Sequence, residues 1–254
     1  MKPTKLLLLH FLIFSLSCNS QAQESWIEIV QPTIEQEATS IWRTINDINF
    51  LEEQGYHINL PKDSLIDSLV KKSKSGNFGN EDFAAIYTLV ETKVFEQKNY
   101  EQAIRKVGNE INLLNNLLDE INDKKADWDW DFKMFKKYRV VFTLYGTGGS
   151  YDPDEGIITL LTNQQGGFMN YKNPANTIIH EITHIGMEYS IVGKYNLSHG
   201  LKERIVDTFV YLMFQEKLPE YSVQTMGDAN IDQYLNKKKD IESLDEIISA
   251  FSKK

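Results

Sequence analysis

Cysteine is nearly missing from this chain. There is one among 254 residues, Cys18, so no disulfide forms within the chain and stability must come from a buried core, which this length allows. Proline is scarce as well, at six residues, and long stretches are therefore free to be helical. Positive charge is in deficit: 27 Lys and Arg stand against 36 Asp and Glu, a net of -9. Two of those cations, Lys2 and Lys5, sit in the first five residues, so the remainder is more acidic still. That balance excludes nucleic acid as a partner, because nothing would neutralise its phosphates. The run Lys237 to Lys239 is short and followed by Asp240 and Glu242, and it reads as a solvated helix face. The glycines of GTGGSYDPDEG lack the Gly-Lys-Ser/Thr of a phosphate loop. Asp152, Asp154 and Glu155 lack the spacing of a calcium loop, since Gly156 falls one position early and the later glutamate is absent. Turn chemistry is the reading for that segment.

An apolar run of membrane-spanning length is also wanting. The longest, LLLLHFLIFSLS at 6–17, follows the basic MKPTK and has the length of a signal-peptide core. Residues 1–22 are read as a targeting segment, and the protein as exported to the periplasm or cell envelope. Cys18 ends the run in SLSC, which resembles a bacterial lipobox with Ser17 in the small position and Ser15 where a branched apolar residue is usual. Cleavage before Cys18 would leave a lipid anchor, the one route to a membrane. Cleavage after Ala22, at SQA, is the rival.

The rest is predicted to be one domain, 23–254, of α+β class and mostly α. Its 24–125 part is helical. PTIEQEATSIWRTINDINFLEEQG carries Ile34, Ala38, Ile41, Trp42, Ile45 and Ile48 at three-and-four spacing. NEDFAAIYTLVETKVF has Asn80 as a candidate cap, and NYEQAIRKVGNEINLLNNLLDEIND is a third long helix. The 126–254 part opens with β-branched and aromatic runs, YRVVFTLYG and IITLLTN, which read as strands around the turn-rich connection.

TIIHEITHIG then holds two histidines four apart with a glutamate after the first. Asn173 can cap this segment and Pro174 can stand at its first helical position. On a helix, His180 and His184 share a face, and two imidazole nitrogens one turn apart both reach an ion at about 2.0 Å. Glu181, turned by about 100°, points beside the ion, where a carboxylate can hold a water. Three of the five histidines, His180, His184 and His199, fall within twenty residues; His57 lies apart and reads as a surface residue. Two protein ligands hold zinc poorly, so a third is required. A second helix follows, capped by Ser198 or His199, with His199, Glu203 and Asp207 four apart.

Over residues 138 to 215 the chain resembles the gluzincin zinc peptidases. Their H-E-x-x-H motif continues through about eighteen residues to a glutamate on the next helix, and Glu203 stands at that place, with Asp207 at the position of a supporting aspartate. The resemblance implies a zincin-like core with Zn2+ held by His180, His184 and Glu203. Asp207 would support a ligand imidazole. Glu181 would be general base to a zinc-bound water, and GIITLLTN would be the strand that binds an extended peptide or protein substrate. His199 is read as a cap or a transition-state donor, with ligation as its rival role. Glu188 is expected to be solvated or to support a ligand; Tyr189 and Tyr195 are candidate oxyanion donors or packing residues. The implied activity is peptide-bond hydrolysis. The alternatives are a zinc-binding envelope protein with no turnover and a toxin- or inhibitor-like module with a structural zinc.

Overall fold

A computed structural model describes residues 25–169, 171–225 and 227–253. Residues 1–22, read above as a targeting segment, lie outside them, Cys18 included. In chain order the elements are β1 (Ile27–Ile29), α1 (Ile34–Asn46), α2 (Ile48–Glu53), α3 (Ser64–Lys74), α4 (Phe83–Leu89), α5 (Glu101–Lys124), β2 (Tyr138–Thr143), β3 (Gly149–Asp152), β4 (Ile157–Leu161), α6 (Pro174–Met187), α7 (His199–Phe214) and α8 (Leu244–Phe251). The chain is α+β and mostly helical. Among the described residues no helix is long and apolar enough to cross a membrane.

Four strands form a sheet in the order β1-β2-β4-β3. β1 and β4 run parallel to β2, and β3 runs antiparallel to β4. The pleat sends Val140, Phe142, Ile158 and Leu160 into the main core, a cluster they share with residues of α5, α6 and α7. A separate apolar cluster joins α1, α3 and α4 through Ala38, Ile41, Ile66, Leu69 and Ile86. Buried Glu37 ties this cluster to the sheet. It accepts from Tyr100 Oη (2.8 Å), Thr143 Oγ1 (2.6 Å) and the Leu144 amide (2.9 Å), which satisfies a carboxylate that would otherwise be costly to bury.

Several expectations change. The first amphipathic stripe is two helices, broken at Asp47, whose backbone leaves the helical region at φ -94 and ψ 10. Asn80 caps nothing with its side chain; it opens a short 3-10 turn, Asn80–Asp82, ahead of α4. The connection read as all turn contains β3. GIITLLTN cannot be the substrate-binding strand, because β4 is hydrogen-bonded on both sides, to β2 and to β3. β1 and β3 go unread because three and four residues are too few for a period of two to show.

Glu120 on α5 joins distant segments. Burial would raise its pKa, but hydrogen bonds from Lys217, Lys238 and Lys124 outweigh that and hold it at about 2. A carboxylate depressed in the folded state contributes stability above its unfolded value, here 4.5, and loses it as the pH falls toward 2. Glu120→Gln is expected to cost about 1 kcal/mol at pH 7, after discounting for solvent screening. Urea midpoints of variant and wild type should converge as the pH is lowered through that window.

Candidate metal centre

Two helices build the site. α6 begins as its sequence implies: the Asn173 side chain accepts from the Ala175 amide at 2.8 Å, and Pro174 occupies the first turn. Every residue of α6 except Thr177 is buried, so His180 and His184 lie inside the protein. The helix fits closely because two residues lack a side chain, Gly149 on the facing strand and Gly186 on α6 itself. A Cβ on Gly149 would stand 2.2 Å from Glu181 Oε1, and one on Gly186 would stand 2.2 Å from Phe132 Cζ. α7 starts at the Ser198 cap, whose hydroxyl accepts from the Leu201 amide at 3.4 Å, and crosses α6.

The crossing brings three groups together. His180 Nε2 and His184 Nε2 lie 3.0 Å apart. Glu203 Oε2 is 3.4 Å from the first and 3.3 Å from the second. Donors placed tetrahedrally about 2.0–2.1 Å from one ion are separated from each other by about 3.3 Å, so the triangle matches a transition-metal donor set.

Asp207 lies behind His180, with Oδ1 3.1 Å from Nδ1. Tyr221 links the two. Its hydroxyl donates to Asp207 Oδ1 at 2.7 Å and sits 2.8 Å from His180 Nδ1. With the tyrosine proton committed to the aspartate, His180 donates from Nδ1, so that once the ring is neutral its Nε2 lone pair faces the cluster. The Gln224 amide fixes the other aspartate oxygen at 2.9 Å. His184 is held differently. Tyr151 of β3 stacks on its ring at 4.8 Å and 6°, and Tyr151 Oη is anchored to Glu188 at 2.8 Å and Lys202 at 3.2 Å.

The charges follow from these contacts. Burial works to lower the pKa of His180, but Asp207 and Glu203 prevail and push it up to about 10. Burial takes His184 down to about 4, against the pull of Glu203. Both imidazoles hold the Glu203 carboxyl far below its usual range despite burial. Glu181 is pushed up to about 7, mainly by burial, with His180 opposing. It lines a cleft of about 230 Å³ with His180, His184 and Glu203.

His199 also faces this cleft but is not part of the triangle. Its Nδ1 is 3.7 Å from the outer oxygen of Glu203, and its Nε2 is hydrogen-bonded to Tyr56 Oη at 2.8 Å. Tyr56 and Phe50 close the cleft from the helical N-terminal part. Burial first, then Glu203 and Glu181, push the Tyr56 phenol up to about 12. Tyr189 and Tyr195 stand outside the cleft, donating to Asp154 and Asp245. Glu188 supports Tyr151 rather than a histidine. Asp152 closes a turn by accepting from the amides of Asp154 and Glu155. His57 is exposed.

Tyr56, Tyr151, Tyr221 and Gly149 are site residues that the sequence did not reveal. No spacing signal marks them, because Tyr56 and His199 are 143 residues apart, and Tyr221 lies 41 beyond His180. No protein-family model, curated protein or solved structure matches the chain.

Substitutions should separate holding an ion from orienting a ligand. If the site holds a transition-metal ion, zinc being the one tested, Asp207→Asn is expected to weaken its binding by about 10–100-fold, the usual effect of altering a ligand's support. Glu203→Gln should weaken it further by replacing an anionic donor with a neutral amide. Competition titrations against a chromogenic chelator measure both.

Proposed function

We propose that this chain is an exported zinc-dependent peptidase of gluzincin type. The observation that carries the reading is the placement of Glu181. Its buried carboxylate opens on the same cleft as the His180, His184 and Glu203 donors, and Gly149 leaves room for it. A zinc ion held by those donors would polarise a substrate carbonyl and acidify a water. Glu181 would take the proton from that water and deliver it to the leaving amine. Tyr56, kept protonated, would donate to the oxygen on which negative charge develops, and His199 would orient it.

β3 supports a peptide as the substrate. It is an edge strand beside α6, and among the described residues it is paired as a strand only with β4. The Leu161 amide donates to Gly148 O. Alternation along an antiparallel ladder therefore turns the Gly149 and Tyr151 main-chain groups toward the free edge. An extended peptide can add there as a further strand, with its main chain passing the site.

Glu181→Gln is expected to reduce hydrolysis of mixed peptides by at least about 100-fold while zinc affinity stays within a few-fold, because it removes the base and keeps the shape. Gly149→Ala should likewise lower turnover by displacing the Glu181 side chain, without removing a ligand. A Glu181→Gln protein that cleaves at the wild-type rate would sink the mechanism. A zinc-loaded wild type that cleaves no member of a broad peptide library would favour the envelope-binding alternative.

A further inference from the structure

A second cavity adjoins the candidate metal centre. It is a groove of about 580 Å³ on the outer face of the sheet, the side away from α6. The two cavities share Leu51, Thr147, Gly148, Gly149, Ser150 and Tyr151, so β3 is the wall between them. Opposite the sheet, α1 presents Glu35, Thr39 and Arg43 at four-residue spacing, one face of the helix, and Asp47 follows just past its end.

The pleat of β3 decides what this groove can receive. Gly149 lies against Glu181, and Tyr151 stacks on His184, so both side-chain positions face α6. Ser150 and Asp152 must then face the groove. In an antiparallel ladder, residues directly opposite one another place their side chains on the same face. A peptide residue paired opposite Ser150 would therefore extend its side chain into the groove, while its neighbours point to the α6 side.

The lining says which side chain fits. It is rich in hydroxyl groups and carries three carboxylates, Glu35, Asp47 and Asp152, against a single cation, Arg43. An acidic side chain would be repelled by this net negative wall; a long cation would be attracted to it. The volume exceeds the needs of one lysine or arginine side chain, whose apolar stem can lie along Val141 and Ile157 while its head reaches α1.

We propose that this groove is a specificity subsite for a basic side chain, lysine or arginine, on an extended peptide paired with β3. The inference rests on the peptide reading of the adjacent centre and adds the class of sequence recognised there.

The test uses full-length protein carrying Glu181→Gln and loaded with zinc, so that binding is read without turnover. Its probes are end-capped peptides, identical except for lysine or glutamate at one position at a time, followed by fluorescence anisotropy. One position should favour lysine by on the order of tenfold, the scale of two partly exposed charge pairs. Glu35→Gln with Asp47→Asn should bring that ratio close to one, and Arg43→Gln should raise it. All three positions are exposed on or beside α1, and circular dichroism checks that the fold is kept. Equal binding of lysine and glutamate peptides, a ratio unmoved by the double substitution, or no binding at all would overturn the subsite. Turnover by the wild type is read separately. Lysine-selective binding without cleavage would overturn the peptidase reading and keep the subsite. Cleavage without selectivity would keep the peptidase reading and overturn the subsite.

Discussion

A single carboxylate oxygen, Glu203 Oε2, lies 3.4 Å and 3.3 Å from two buried imidazole nitrogens. Most of the structure around it serves to make that placement tolerable. Polar groups taken out of water are costly unless each has a partner. Here the partners come in series: Glu203 for both rings, Tyr221 and Asp207 for the far nitrogen of His180, and the Gln224 amide for Asp207. The apolar residues of α6 and α7, among them Ile178, Ile182, Ile185, Val206 and Phe209, hold the two helices at the separation this network needs. Among the described residues His184 Nδ1 finds no hydrogen-bond partner, and the ring is positioned by the flat face of Tyr151.

Close approach is the second condition, and it depends on two missing side chains. Gly186 lets Phe132 rest on α6, where Phe132, Trp128, Trp130 and Phe209 form one aromatic cluster. Gly149 lets the edge of the sheet meet the same helix on the other side. α6 is thus gripped between an aromatic layer and β3, and the narrow space left over becomes the cleft. That cleft is bordered by main chain on one side and carboxylates on the other, which is why a peptide is the substrate proposed for it.

The helical N-terminal part is joined to this centre by long-range contacts. Glu37 bonds to groups 63 to 107 residues away, and the segment after α2 brings Tyr56 to His199. The same arrangement sets α1 across the outer face of the sheet. One packing relation therefore closes the cleft with a phenol and roofs the groove beside it with a mixed-charge helix face.

The sequence by itself determined what depends on local spacing. The helices α5, α6 and α7, the facing pair His180 and His184, and the Glu203–Asp207 step are set by the 3.6-residue period, and the cap at Asn173 by its own side chain. Those are the parts of the fold and candidate site that could be read from the chain alone. Tertiary structure decided what depends on contacts between distant residues. It chose β3 over β4 as the free edge, since strand order is a property of the whole sheet and a four-residue strand carries too little pattern to announce itself. It turned Tyr189 and Tyr195 away from the site and brought in Tyr56, Tyr151 and Tyr221. Tyrosine has no characteristic spacing; its place is settled by which apolar surface its ring covers and which acceptor its hydroxyl then reaches. Gly149 and Gly186 look like any other glycines in the chain, and only the approach of Glu181 and Phe132 shows that a side chain at either position has nowhere to go.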